Sequence, residues 1–246
     1  MSAQGTPTPP IWLLPEPAER RWGLGRAEIV KTAIAIADAG GAEALTMRAV
    51  AKELGSSTPM SLYRYVHNKD GLVDLMLDAA NAEVATPEQP GEDWRAELTQ
   101  LSHDAWEMAK RHRWFAELVH SRPPAGPNAS RRQEFVLATF VGLGQELTAA
   151  LGFHRLLDGY VVGQALQRAE EQKMWQRNQF ADLGEVQELA RTWFAGVGDG
   201  TPRYPLLERV VQGFLTGDAQ APGLPPEDVQ FTLGLDCLLD GIATRL

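Results

Sequence analysis

Apolar residues recur at helical spacing through the first quarter of the chain. Between residues 26 and 39 they stand four, seven and eight positions apart, which gathers them on one face of a helix that Gly40 and Gly41 end. Thr46 precedes a second stripe of the same spacing, so its hydroxyl is placed to cap a second helix that stops at Gly55. The pattern predicts two short helices followed by a turn of small polar residues and proline.

The residues after that turn predict a third helix with an inner and an outer side. Leu62 and Val66, four positions apart, anchor it to the first two helices. The residues left on the outer side are Ser61, Tyr63, Arg64 and Tyr65. A fourth helix opens at Asn68 or Lys69. This order is the layout of a helix-turn-helix, which places one helix in a DNA major groove.

Charge and side-chain chemistry agree with that layout. Tyr and Thr hydroxyls and Lys ammonium groups donate to phosphate oxygens, and Arg can reach a guanine edge with two hydrogen bonds. Residues 20–69 hold eight Lys and Arg against four Asp and Glu, a net of +4, whereas the whole chain carries −9 and the remainder −13. A basic module on an acidic body indicates that an anionic partner meets one end only. Arg20, Arg21 and Arg26 are placed to steady the DNA.

Four short motifs stand together in this segment: LTMRAVA at residues 45–51, Leu54-Gly55 at the turn, LYRYV at residues 62–66 and NKDGL at residues 68–72. As a set they are specific, and the segment resembles the DNA-binding domain of the TetR (tetracycline repressor) family of transcriptional regulators. The resemblance covers about a fifth of the chain strongly. It implies a repressor that binds a palindromic double-stranded DNA operator.

The resemblance also implies roles for individual residues. Thr46 and Lys69 hold phosphates, Arg48 reaches a base from the second helix, and Tyr63 and Tyr65 touch the DNA backbone. For each of them the alternative is an ordinary solvated helix face.

The turn departs from the pattern of many family members. Six residues separate Gly55 from Leu62, where many members have five. This leaves open which residue meets the base edges, and the candidates are Thr58, Pro59, Met60 and Ser61. Arg64 is a further candidate for a base contact, with a free surface charge as its alternative.

Beyond residue 86 the chain consists of long amphipathic patterns without strand alternation or internal repeats. We therefore predict an all-α protein with a flexible arm at residues 1–22, a helix-turn-helix domain at 23–80 and a larger helical domain at 81–246. One pattern runs from Phe135 through Leu143 to Leu147. The stretch from Phe180 to Gly200 is the least regular.

The larger domain is expected to dimerise, because a single helix-turn-helix reads only a few base pairs. Helices at about residues 156–174 and 229–242 are the candidates for a four-helix interface, which is how the family commonly pairs. The interface residues we predict are Leu156, Tyr160, Phe231, Leu235, Leu238, Leu239 and Ile242. The alternative is that these stripes form intramolecular core.

The same domain is expected to enclose a small-molecule effector that is largely apolar or aromatic. Aromatic residues are spread over several helices, and a few polar side chains among them can orient a guest. The candidates are His103, Trp106, Trp114, Phe115, Phe140, Gln164, Gln167, Met174, Trp175 and Trp193. Ordinary core or surface is the alternative for each of them.

Other classes of protein find little support in the sequence. The single cysteine, Cys237, excludes an intramolecular disulfide framework and fits a buried structural thiol, and no run approaches the roughly 20 apolar residues of a membrane span. Zinc, phosphate-loop, dinucleotide and nucleophile-elbow motifs are missing from the sequence, so we expect no enzyme activity, cofactor or metal. We expect a cytoplasmic protein. The alternative is a helical small-molecule-binding protein or enzyme whose N-terminal helices only pack.

Overall fold

The computed structural model describes residues 10–15, 17, 25–55, 58–121, 126–195, 204–216 and 226–246. Over those ranges the chain forms eleven α-helices and no strand, which confirms the all-α class. The helices are α1 Arg26–Ala44, α2 Met47–Glu53, α3 Met60–Val66, α4 Lys69–Asn81, α5 Trp94–Arg111, α6 Arg113–Leu118, α7 Pro127–Gly142, α8 Leu147–Asn178, α9 Leu183–Ala195, α10 Pro205–Thr216 and α11 Glu227–Ala243. Short 3₁₀ turns lie at Ile11–Leu13 and Val119–Ser121.

The first four helices share one apolar core. α1 packs against α2, α3 and α4, and the residues it buries there, such as Ile29 and Ala33, follow the predicted spacing. Gly41 has a φ of 76°, so α1 is broken close to where the two glycines predicted its end. α4 also packs against α5, α6 and α7, so the helix-turn-helix and the larger helices belong to one packed unit.

The long helical patterns differ from the prediction at one junction. α7 ends at Gly142, Gly144 has a φ of 85°, and Leu147 begins the 32-residue α8. The prediction that Leu143 and Leu147 continue the helix of Phe135 is therefore wrong, because a left-handed glycine separates them. Their apolar side chains are exposed instead.

The chain divides into two units by its internal packing. The first comprises residues 1–169 and 238–246, and the second comprises residues 170–237. In the second unit α9 packs against α10, and Arg191 donates to the Leu215 carbonyl oxygen at 3.1 Å. Among the described residues no helix has both the length and the apolarity that crossing a bilayer requires.

Candidate nucleic-acid interface and cavity

Local hydrogen bonds fix where α2 and α4 begin. The Thr46 hydroxyl accepts from the Ala49 backbone amide at 3.0 Å, and the Asn68 side-chain oxygen accepts from the Gly71 amide at 2.7 Å. Gly71 is buried, and a methyl group there would collide with the Val66 carbonyl oxygen. The start of α4 therefore lies directly against the end of α3, which sets the direction in which α3 presents its outer side.

The outer side of α3 and its flanks carries polar, basic and apolar groups. Met60 is 74% exposed, Arg64 is exposed, and Ser61 and Tyr63 are half-buried. The Ser61 hydroxyl donates to the Thr58 carbonyl oxygen at 2.9 Å, which ties the helix to its preceding turn. The other predicted DNA-contact residues that are exposed are Thr46, Arg48, Thr58 and Lys69, and Pro59 is half-buried.

Tyr65 does not belong to this surface. Its exposed fraction is 0%, so the prediction that it faces outward and touches the DNA backbone is wrong. Tyr65 stands three residues after Leu62 and next to Val66, which places it on the inner side of a helix. The Arg26 Nε donates to the Tyr65 carbonyl oxygen at 3.0 Å, so this arginine supports the fold, while Arg20 and Arg21 lie outside the described residues.

A small cavity, partly open to solvent, lies among α5, α7 and α8. Its volume is about 30 Å³, and its walls are Leu98, Leu101, Ser102, Ala105, Arg132, Val136, His154, Leu157, Asp158 and Val161. The Arg132 Nη2 donates to the Asp158 Oδ1 at 3.1 Å. Burial lowers the pKa of Arg132, an effect that the charge of Asp158 opposes. Burial also lowers the pKa of His154, so its imidazole is neutral near pH 7.

The residues predicted to bind a ligand are not the walls of this cavity. Trp106, Trp114, Phe115 and Phe140 are fully enclosed core side chains, and the Phe140 ring packs 5.1 Å from that of Phe153. Among the others, His103 and Gln164 are half-buried, Gln167 and Met174 are exposed, Trp175 packs edge-on against Phe180 in the second unit, and the Trp193 side chain lies outside the described residues. Arg132, His154 and Asp158 were not predicted from the sequence. The signal that could have indicated them is the ionisable i, i+4 pair formed by His154 and Asp158 on α8.

A buried histidine connects the helix-turn-helix to the start of α6. The His112 Nδ1 lies 2.8 Å from the Asp38 Oδ1 of α1, and its Nε2 lies 2.9 Å from the Glu83 Oε1 just after α4. Burial alone would lower the pKa of His112, but the hydrogen bonds and charges of the two carboxylates raise it above its ordinary value of 6.5. The Trp114 indole N–H also donates to Asp38, at 2.7 Å, and Arg111 donates to Glu83 at 2.7 Å.

The predicted dimer residues fall into two groups. Leu156 is 51% exposed, and Tyr160 and Leu238 are half-buried. The residues of α11 that are already buried within a single chain are Phe231, Leu235, Leu239 and Ile242. Their assignment to an exposed interface is wrong, because a fully covered side chain offers no area to a second copy. Cys237, expected to be buried, is exposed.

Comparisons with known proteins identify one matching family and several similar chains. Residues 86–246 match the family described as "Tetracyclin repressor-like, C-terminal domain". The chain is 36% identical over 225 residues to the HTH-type transcriptional repressor DrrR1 of Streptomyces coeruleorubidus, covering 87% of this chain and 75% of that protein. It is 24% identical over 222 residues to the class A tetracycline repressor protein from transposon 1721 of Escherichia coli, covering 88% and 89%. ActR of Streptomyces coelicolor, solved in complex with actinorhodin, superposes with a TM-score of 0.68 and 27% identity over 90% of this chain and 97% of that one.

Proposed function

Because the chain belongs to the TetR family of transcriptional regulators, we propose that it is a repressor that binds a palindromic operator as a homodimer and leaves it on binding a small effector. Membership of this family makes it a regulator rather than an enzyme. A protein that acts on chromosomal DNA in this way works in the cytoplasm. The proposed effector is largely apolar or aromatic and occupies the cavity among α5, α7 and α8.

The observation that supports DNA binding is the exposed surface around α3. Met60 and Arg64 project from α3, while Arg48 on α2 and Lys69 at the start of α4 flank it. We assign phosphate contacts to Lys69 and to Thr46, and a base contact to Arg48. A short helix that exposes such groups between two exposed cations suits a major groove.

Dimerisation is supported by an uncovered face of α8. Leu156 is 51% exposed, and a side chain added at Gly159 or Gly163, on the same face, would meet open space. Two helices bearing such a face can approach closely in a symmetric pair. A twofold pair can place its two α3 helices in successive major grooves, about 34–36 Å apart.

A gel shift on the DNA that flanks this chain's own gene tests the proposal. We expect binding that weakens with salt, with a logarithmic slope of about 0.9 per neutralised phosphate. Lys69→Ala should weaken binding to every sequence, Arg48→Ala should also relax sequence preference, and Arg131→Ala on exposed α7 surface should do neither. A shift that is absent, or that does not depend on salt, would instead support a helical binding protein without DNA affinity.

A further inference from the structure

The walls of the cavity are apolar except along one side. On α8, His154 and Asp158 stand four residues apart and therefore point in the same direction, and Arg132 of α7 reaches towards them. The opposite wall is supplied by α5 through Leu98, Leu101 and Ala105. The Ser102 hydroxyl on that wall donates to the Leu98 carbonyl oxygen of its own helix at 2.7 Å. The Ser102 hydroxyl proton is therefore already used, and the charged groups of the cavity lie on α7 and α8.

The ion pair on this side leaves most of its hydrogen-bonding capacity unused. A guanidinium has five N–H donors, and the hydrogen bond that Arg132 makes within the described part of the chain is a single one to Asp158. The Arg132 side chain is only 14% exposed, but none of its nitrogen atoms is both fully covered and without a partner, so the remaining donors are accessible from the cavity. A buried ion pair held for stability alone is normally bidentate and fully hydrogen-bonded. His154 likewise makes no hydrogen bond to the described residues, although its ring is largely covered.

The charges of this side decide what kind of guest fits. Arg132 and Asp158 cancel, and a neutral His154 adds nothing. An anionic guest would satisfy Arg132 but would be repelled by the Asp158 carboxylate, and a cationic guest would be repelled by the Arg132 guanidinium in the same way. An uncharged edge that carries an acceptor beside a donor can bind Arg132 through the acceptor and Asp158 through the donor. The cavity then stays neutral.

We infer that the effector presents to this cavity an uncharged polar edge, in which a carbonyl-type acceptor binds Arg132 and an adjacent N–H or O–H donates to Asp158, on an otherwise apolar body. This inference rests on the proposed function, because it names the chemical class of the molecule that the regulator answers to. Primary and secondary carboxamides and neighbouring keto and hydroxyl groups have such an edge. Carboxylates are charged, and simple ketones have no hydrogen-bond donor.

Three small probes of nearly identical shape separate these possibilities. Benzamide carries the acceptor and the donor, acetophenone carries the acceptor alone, and benzoate carries two acceptors and a charge. Their dissociation constants for the full-length protein are measured by NMR titration. We expect benzamide to bind at least tenfold more tightly than either of the others, because a site built to hydrogen-bond a group rejects analogues that lack it. Equal or tighter binding of benzoate or acetophenone, or no binding of any probe, overturns the inference.

Substitutions give a second and independent readout. Asp158→Asn removes the negative charge and leaves Arg132 uncompensated, so the preference should shift towards benzoate by at least tenfold. Arg132→Met should abolish the preference for benzamide over acetophenone. Arg131→Met, one residue away on the exposed side of α7, should leave the ranking unchanged. A ranking that Asp158→Asn does not alter also overturns the inference, and the wild-type ranking decides the matter if that variant does not fold.

The same samples distinguish failure of this inference from failure of the proposed function. A protein that ranks the probes as expected but shifts no DNA has the inferred site without the regulatory role. A protein that binds its operator but prefers benzoate is a regulator whose cavity takes a different class of effector.

Discussion

His112 offers the sharpest test of how this fold is held together. Replacing it with Phe keeps a ring against Trp114, whose centroid lies 5.6 Å from that of the imidazole, but removes both hydrogen bonds. Asp38 keeps the Trp114 indole N–H as a donor, and Glu83 keeps Arg111. The substitution therefore removes the link between these two carboxylates while leaving each with a partner.

The expected loss follows from exposure and charge. A hydrogen bond to a charged group contributes about 1.5–3 kcal/mol when shielded from water. The Asp38 and Glu83 side chains are 34% and 39% exposed, so both regain water in the variant and each bond counts for about half of that range. We expect His112→Phe to lower the free energy of unfolding by about 2 kcal/mol, or the melting temperature by roughly 4–8 °C for a chain of this size.

The loss should depend on pH in a stated direction. The folded pKa of His112 is raised, so its stabilising contribution is complete below the unfolded value of about 6.5 and is lost as pH rises through the folded value. The folded pKa of Glu83 is lowered: burial alone would raise it, but the hydrogen bonds from Arg111 and His112 prevail. Its contribution is present above about 4.5 and is lost as pH falls through the folded value. The contacts of His112 with Asp38 and Glu83, called the His112 clamp below, therefore stabilise the fold most between about pH 4.5 and 6.5.

Urea unfolding of the wild type and the variant at about pH 6 and about pH 9, at one protein concentration, measures the effect. The gap between the two proteins should be about 2 kcal/mol at the lower pH and should shrink at the higher pH as the imidazole loses its proton. His120→Phe is the matched control, because His120 is exposed. A gap of the same size at both pH values would refute the assignment of a charged imidazolium between two carboxylates.

Three further outcomes follow from the same packing. Tyr65→Phe should leave operator affinity unchanged and raise stability by about 1 kcal/mol, because its buried hydroxyl has no hydrogen-bond partner in the described part of the chain; weaker DNA binding in a gel shift would contradict its burial. Gly71→Ala should cost about 1–3 kcal/mol in thermal unfolding through its collision with Val66, and a neutral result would contradict the close approach of α4 to α3. Leu156→Glu should convert dimer to monomer in analytical ultracentrifugation, whereas Leu147→Glu, nine residues away on the opposite side of α8, should not; monomers from both or from neither would remove this face from the interface.

The parts of the structure that the sequence predicts well depend on neighbouring residues. Thr46 and Asn68 each cap a helix by accepting from an amide three residues on, and Gly55 has a φ of 63° just past the end of α2. Such interactions are decided within one turn of chain, so residue type and spacing are sufficient to predict them. The two ends of α2 and the start of α4 follow directly.

Tyr65 shows where local spacing stops being sufficient. A seven-residue helix has too few turns for Leu62 and Val66 to define the width of its inner face, and an aromatic residue between them suits either side. α3 also contacts α1, whose Arg26 donates to the Tyr65 carbonyl oxygen across 39 positions of sequence. The spacing of apolar residues within α3 cannot reveal a contact with α1.

The cavity is a still less local feature. Arg132 and Asp158 lie 26 positions apart, and on their own helices each has the pattern of an ordinary surface charge. They come to line one cavity only when α5, α7 and α8 pack together. The tryptophans that the sequence favoured as cavity walls, Trp106 and Trp114, fill space in the core instead, as large apolar side chains commonly do.

α5 connects the cavity with the His112 clamp, because His112 directly follows the last residue of that helix. α5 forms a wall of the cavity up to Ala105, and His112 follows seven residues later, about 10 Å along the helix axis. A guest that fills more than the 30 Å³ of this cavity either extends into solvent through its open side or displaces a wall, and α5 is one of those walls. A displacement carried by α5 changes the separation of His112 from Asp38 and Glu83, where hydrogen-bond strength falls steeply with geometry.

Breaking the clamp should therefore weaken the connection between cavity and operator without changing either site. In His112→Phe we expect the ligand that releases the wild type from its operator to bind with unchanged affinity but to lower operator affinity by a smaller factor. By linkage, the operator should also weaken that ligand by the same smaller factor, so titrations in both directions check one another. His120→Phe should retain the wild-type factor. If His112→Phe retains it as well, the displacement reaches the helix-turn-helix through α7 and its contact with α4 rather than through α5.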